Sequence, residues 1–205
     1  MNVLLLNGSP RTHGCTARAL KEVALTLNAE GIITETVSIA SADIRGCISC
    51  GHCKKNGKCV FDDIVNELAT KLQNADGFIV GTPVYYAGSN GSVLSLLDRL
   101  FHSTGFDKTM KVGACVVSSR RAGSTSAFDE INKYFTICNM PIVSSSYWNE
   151  VHGSTAEDVE RDVEGLQTMR NLARNMAFMI KSIRLGKEKF GLPKNEFGAC
   201  TNFLG

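Results

Sequence analysis

The chain has 205 residues, 43% of them hydrophobic and 20% charged, which is the length of one domain and far too apolar for a disordered polymer. Lys and Arg total 22 against 20 Asp and Glu, a formal charge of +2, so nucleic acid is not the expected partner. No apolar run approaches the ~18 residues that span a bilayer. The segment Met1–Gly8 also lacks the basic start and long apolar core of a secretory signal. We therefore expect a cytoplasmic protein without a membrane partner, whose eight cysteines form no disulfide framework.

In chain order, Val3–Leu6 reads as a short buried strand ended by Asn-Gly-Ser-Pro. From Thr16 the period changes: Leu20, Val23, Ala24 and Leu27 share one face of a helix that stops at Gly31. Ile32–Ile39 alternates as a second strand, and a cysteine-rich loop follows. Asp62-Asp63 opens a helix with Ile64, Leu68 and Leu72 on one face, because carboxylates accept the orphan amides of a first turn. Phe78–Gly81 is a third strand, stopped by Thr82-Pro83, and Ser92–Phe101 a helix with Val93, Leu97, Leu100 and Phe101 inward. A fourth strand spans Val112–Val117, and a helix over Thr125–Cys138 turns Phe128, Ile131 and Phe135 inward. Pro141–Ser145 is a fifth strand, and Thr155–Ile183 one long helix carrying Val159, Val163, Leu166, Met169, Ala173, Met176 and Ile180. From Leu185 the glycines and Pro193 predict an extended tail.

Strands alternating with helices predict a doubly wound α/β fold with a five-stranded parallel sheet. A single domain over 1–184 is expected, with a cysteine-rich insert at 46–59 and a tail at 185–205. Such sheets bind ligands outside the carboxyl ends of their strands. The loops there are residues 7–16, 40–61, 82–90, 118–125 and 144–153, and every unusual residue cluster falls in one of them.

The first loop lacks both the dinucleotide glycine fingerprint and the Gly-Lys-Ser/Thr of P-loop proteins. It nevertheless offers Gly8 and Gly14 for backbone approach, the hydroxyls of Ser9, Thr12 and Thr16, the Arg11 guanidinium and the amides of a helix start. Together these suit a phosphate monoester, the alternative being a helix cap with a solvated arginine. In the third loop Thr82, Pro83, Val84, Tyr85 and Tyr86 offer backbone and an aromatic face to a flat heterocycle, unless the tyrosines merely fill core and surface. In the fourth, Ser118, Ser119, Ala122 and Gly123 allow close approach. Arg120 or Arg121 could there offset charge gained by such a ring on reduction, or stand as solvated charge. Trp148, Asn149 and His152 sit beyond the fifth strand without an assigned role.

The second loop carries Cys47, Cys50, Cys53 and Cys59, with two, two and five residues between them. Four thiolates at such spacing suit an iron–sulfur cubane or zinc; free or redox-active thiols are the other reading. Three close cysteines with a fourth nearby favour [4Fe-4S], since structural zinc usually takes two separated pairs. Cys15, Cys115, Cys138 and Cys200 have no partner spacing.

Gly8-Ser9-Pro10-Arg11, Gly14-Cys15-Thr16, Ala75-Asp76-Gly77, Gly81–Tyr86, Leu97-Asp98-Arg99, Arg120–Gly123, Tyr147–Gly153 and Thr201–Leu204 resemble, in this order, the flavodoxin-like NAD(P)H-dependent FMN reductases. The cysteine loop resembles the compact motif of the iron–sulfur flavoproteins in the same group. The resemblance implies strand order 2-1-3-4-5 and FMN with its phosphate among Ser9, Arg11, Thr12, Gly14 and Thr16. Cys15 stands there in place of a polar residue. It also implies NAD(P)H as electron donor, with the nicotinamide stacked on the flavin, and a homodimer or homotetramer. The acceptor would be a quinone, a flavin, an iron–sulfur partner or a xenobiotic. Two rival readings are an iron–sulfur electron carrier fed by ferredoxin without a nicotinamide site, and a thiol or metal sensor without turnover.

Overall fold

The computed structural model describes residues 1–196, 198, 199, 201 and 203. Cys200, Asn202 and Leu204 of the sequence argument lie outside them. Five parallel strands make the sheet: β1 (Asn2–Asn7), β2 (Ile33–Ser38), β3 (Gly77–Tyr85), β5 (Val112–Ser119) and β6 (Glu150–His152). Their spatial order is β2-β1-β3-β5-β6, which is the expected 2-1-3-4-5 once the two-residue β4 (Gly88–Ser89), hairpinned onto β3, is set aside.

Both faces of the sheet are buried, so its central strands are apolar without alternation. Val3 and Leu5 of β1 face α1 (Cys15–Ala29), α6 (Ala156–Arg161) and α7 (Val163–Phe190), in a cluster with Leu20, Val23, Leu166, Met169 and Met176. Leu4 and Leu6 face the opposite layer of α3 (Ile64–Asn74), α4 (Gly91–Ser103) and α5 (Ser124–Thr136), against Leu68, Leu72, Leu97 and Phe135. Each such fully buried leucine contributes about 1.5–3 kcal/mol. A short α2 (His52–Asn56) lies inside the cysteine loop, between Gly51 and Gly57, both in the left-handed region.

Several expected boundaries move. Thr82-Pro83 does not stop β3, which runs on to Tyr85. At that level β1 has already ended, at the Asn7–Gly81 pair, while β5 still flanks Thr82 and Pro83; proline is tolerated where one side of a strand lacks a neighbour. The fifth strand is displaced: Pro141–Val143 makes only a single bridge to Gly113, and the chain leaves the sheet before returning as β6 beside Val117–Ser119.

The long helix is two. Asp162 takes a non-helical conformation, and its carboxylate accepts from the amides of Gly165 at 2.9 Å and His152 at 2.6 Å, so it caps α7 and ends α6. Val163 consequently faces solvent rather than the core. α7 continues through Leu185 to Phe190, and the extended tail begins at Gly191. No described helix is long and apolar enough to cross a membrane.

Candidate functional site

The first loop is set by β1 ending against β3. The Gly8 amide donates to the Gly81 carbonyl at 2.9 Å, and a Cβ at Gly8 would lie 2.0 Å from the Val93 side chain, so only glycine lets the loop cross there. The loop then turns on its own side chains. The Ser9 amide donates to Asn7 Oδ1 at 3.2 Å and the Arg11 amide to Ser9 Oγ at 3.1 Å. Gly14 occupies the N-cap of α1, and no side chain caps its first turn, nor is any residue of that turn acidic. Those amides and the positive end of the helix dipole are thus left to an anion. Arg11 is exposed beside them, with Nη1 donating to the Ser154 carbonyl at 3.3 Å. Thr12 is exposed as well.

Two predicted site residues meet inside the fold. Thr16 Oγ1 and Ser118 Oγ, both buried, are 2.8 Å apart and tie the first loop to the fourth. Beside Ser118, the Ser119 hydroxyl is buried with no partner, an orphan of the kind that a bound polar group satisfies. Thr82 is turned differently: its hydroxyl accepts from the Asn90 amide and donates to the Pro83 carbonyl, both at 3.1 Å, bracing the base of the β3–β4 hairpin.

That hairpin closes through Tyr86 and Ala87, at φ 50° and 61°, where glycine or asparagine is usual. Such left-handed non-glycine residues cost roughly 1–2 kcal/mol each. Tyr85 is half exposed and Tyr86 fully so, which places both rings at the rim of the sheet edge rather than in the core. Gly123, at φ 86°, lets the fourth loop pack onto the hairpin, since a Cβ there would lie 2.8 Å from Ala87 Cα. Arg120 and Arg121 are exposed. In the fifth loop Tyr147 and Trp148 are half exposed and lean on each other edge to face, with ring centroids 5.0 Å apart. Asn149 is buried instead, its amide nitrogen 3.5 Å from the Val143 carbonyl.

Cys15 begins α1 but turns its thiol away from the first loop, toward the carbonyls of Gly153 and Thr155 at 3.4 and 3.3 Å. Burial pushes this thiol up, as it does those of Cys115 and Cys138, which leaves all three protonated at neutral pH.

The other four cysteines gather elsewhere. Cys47, Cys50, Cys53 and Cys59 line one cavity of about 140 Å³ with Phe61, Arg99, His102 and Ser103. Left-handed backbone at Ser49, Gly51 and Gly57 wraps the loop around it. Its inner wall is the second half of α4, whose Arg99 is buried: Nη1 and Nη2 each meet an Asp63 oxygen at 2.8 Å, Nη1 also donates to the Arg45 carbonyl, and Nε donates to Cys59 Sγ at 3.3 Å. Asn66 fixes Cys59 further, accepting from its amide and donating to its carbonyl. Among the described residues, no three or more His, Cys, Asp or Glu side chains already converge on one ion position. The donor set, four cysteines lining one cavity, fits in kind a polynuclear thiolate-held group.

Sequence reasoning singled out Leu97-Asp98-Arg99 but gave Arg99 no role, and it passed over Asn90 and Ser154. Asn90 carried a readable signal, an Asx residue just before an apolar helical run, and it does cap α4 through Ser92 and Val93. Arg99 carried none, because its partners stand 36 and 40 residues away.

The family model of the NADPH-dependent FMN reductases matches residues 1–155. An iron–sulfur flavoprotein of Methanocaldococcus jannaschii is 35% identical over 192 residues, covering 90% of this chain and all of that one. An iron–sulfur flavoprotein of Methanosarcina thermophila is 30% identical over 194 residues, covering 92% of this chain and all of its own. Among solved structures, an archaeal flavodoxin superposes with a TM-score of 0.59 at 14% identity, covering 88% of this chain and 99% of the flavodoxin, a likeness of fold alone.

Proposed function

The chain belongs to the flavodoxin-like family of NADPH-dependent FMN reductases and iron–sulfur flavoproteins, and from that premise we propose that it is an oxidoreductase with two redox centres. FMN would be held by the loops at the carboxyl edge of the sheet, a [4Fe-4S] cluster by Cys47, Cys50, Cys53 and Cys59, and NAD(P)H would supply electrons. The observation that carries this reading is one cavity lined by all four cysteines, in a chain whose relatives over nine-tenths of its length bear the name iron–sulfur flavoprotein.

FMN, when bound, supplies a centre that takes two electrons as hydride and gives them up singly. The chain's own residues divide the remaining tasks. The uncapped amides of α1 and Arg11 bind the phosphate, and Ser9 holds the Arg11 backbone in place for that contact. Ser118, fixed by Thr16, and Ser119, with its unpartnered hydroxyl, present the fourth loop to the ring. Tyr85 and Tyr86 wall the ring's exposed side against water, and Arg120 or Arg121 supplies positive charge near it. The nicotinamide would stack on the flavin itself, since the chain carries no separate dinucleotide fingerprint. The terminal acceptor would be a quinone, a flavin, an iron–sulfur partner or a xenobiotic.

The cysteine cavity is not at this rim. It is walled by residues 47–61 of the second loop and by Arg99, His102 and Ser103 in the second half of α4, and by no residue of the first, third or fourth loops. A homodimer or homotetramer would bring the cysteine cavity of one copy beside the flavin of another.

A second reading, consistent with relatives named iron–sulfur flavoproteins, is an electron carrier fed by ferredoxin with no nicotinamide use. An anaerobic visible spectrum with iron, zinc and sulfide analysis separates these. A flavin band near about 450 nm with a shoulder near about 400 nm, and about four iron and four sulfide per chain, supports the two-centre reading. Bleaching by NADPH or NADH then supports the reductase; bleaching only by reduced ferredoxin supports the carrier. Flavin without iron, or bound zinc, overturns the cluster assignment.

A further inference from the structure

We propose that Arg99 is a positioning residue for the four-cysteine centre and sets its reduction potential through Cys59, an inference that rests on the cluster reading above. Arginine is the side chain suited to this place. Its planar fork satisfies Asp63 with two nitrogens and still aims a third, Nε, at a sulfur 3.3 Å away. The guanidinium is almost wholly enclosed, at 1% exposure, with its carbon 4.9 Å from the Phe61 ring centre, so its position is fixed by contacts on every side. Asp63 in turn is held by its own task, capping α3 through the Val65 amide at 3.1 Å. The Asp63–Arg99–Cys59 chain thus runs from a helix cap, through an ion pair buried on its arginine side, to one of the four thiols.

Charge decides what this contact does. The Asp63–Arg99 pair is neutral overall, so the sulfur meets a directed N–H dipole rather than a free cation. In a buried setting such a bond is stronger than in water. Reduction of the centre adds one electron and moves no heavy atom, which increases the negative charge carried on its sulfurs. A donor aimed at a sulfur therefore stabilises the reduced state more than the oxidised one and raises the potential. Cys47 and Cys50 lie on the exposed rim of the cavity, and no comparable donor reaches them among the described residues. Arg99 therefore makes the Cys59 side of the centre electronically distinct. This gives the Leu97-Asp98-Arg99 segment a task that its helix position alone does not explain.

The test is an anaerobic potentiometric titration with dithionite, followed by the low-temperature paramagnetic signal of the cluster, with the flavin midpoint in the same protein as internal control. The Arg99→Gln variant and the Arg99→Gln/Asp63→Asn double variant are compared with wild type; the double variant removes the pair together and leaves no orphaned buried charge. Both are expected to keep FMN and iron. At the wild-type cluster midpoint, their ratio of reduced to oxidised cluster should fall on the order of tenfold, as loss of one hydrogen bond to a sulfur that gains negative charge implies. The flavin midpoint should stay where it is. A cluster midpoint equal to wild type in either variant overturns the inference. So does loss of iron from the double variant with FMN retained, since Arg99 would then hold the loop rather than tune its sulfur. A wild-type protein that takes up no iron on anaerobic reconstitution would instead overturn the cluster reading itself.

Discussion

The Thr16 and Ser118 hydroxyls lie 2.8 Å apart in the interior, joining the first turn of α1 to the end of β5 across 102 residues of sequence. Neither loop has another side-chain hydrogen bond to the other, so this contact registers the phosphate-binding side of the proposed FMN site against its ring-binding side. Replacing Thr16 with valine keeps the shape and strands the Ser118 hydroxyl in the core. A loss of about 1–3 kcal/mol is expected in denaturant unfolding of the flavin-free protein. FMN binding should weaken by more than the same variant's unfolding midpoint alone accounts for, whereas Thr16→Ser should restore both. Unchanged FMN affinity in a destabilised Thr16→Val protein would make the contact purely structural.

Arg11 separates binding from folding. It is exposed, and its one side-chain contact is a 3.3 Å bond to the Ser154 carbonyl, so Arg11→Ala should leave the melting temperature within about 1–2 °C of wild type, as surface substitutions do. A charge-assisted contact to a phosphate is worth about 1.5–3 kcal/mol, so FMN affinity should drop roughly 10- to 100-fold. Quenching of flavin fluorescence on titration into the apoprotein measures it. An affinity equal to wild type would remove Arg11 from the phosphate site.

Much of this was legible in the sequence because β1, β3 and β5 are buried on both faces, and short apolar runs between amphipathic stretches admit few other folds. The loops that carry chemistry stood out for a related reason: nothing in packing asks for four cysteines or two adjacent tyrosines. What the sequence hid were choices made by tertiary partners. Asp162 looks like one more polar position on a helix, yet the His152 amide recruits its carboxylate and breaks the helix. Thr82 looks like a site hydroxyl, yet Asn90 claims it for the hairpin. The inner wall of the cysteine cavity was invisible because Arg99 reaches it from a different helix.

Replacing Cys50 with serine should remove iron while leaving FMN in place, because the cysteine cavity and the first, third and fourth loops share no lining residue. Cys50 is exposed and makes no buried contact, so the fold should survive, with a melting temperature near that of the metal-free wild type. Iron and sulfide analysis beside the flavin absorbance decides it. Retention of four iron per chain would show that Cys50 is not a ligand, and joint loss of iron and FMN would show that the two sites are coupled.

Glu22 joins two of the three helices that cover one face of the sheet, α1 and α7. It lies on α1, accepts from Arg18 one turn away at 3.0 Å and from Arg170 of α7 at 2.6 Å, and its side chain is only 14% exposed. Burial alone would push this carboxyl up; the hydrogen bonds from Arg170 and Arg18 outweigh burial and hold it below its ordinary value of 4.5. The sign follows from that balance. A carboxyl whose folded value is depressed adds stability that is fully present above the unfolded value, and loses it as the pH falls through the folded value. Glu22→Gln should therefore cost about 1–3 kcal/mol at pH 7. Its unfolding free energy should approach that of wild type as the pH drops below 4.5. If burial governed instead, the charged form would be the destabilising one, and wild type would gain on the variant as acid is added. Denaturant unfolding of both proteins at pH 7 and in a series of acidic buffers distinguishes the two, and a variant more stable than wild type at pH 7, with wild type catching up on acidification, would show that the two arginines do not offset the desolvation of Glu22.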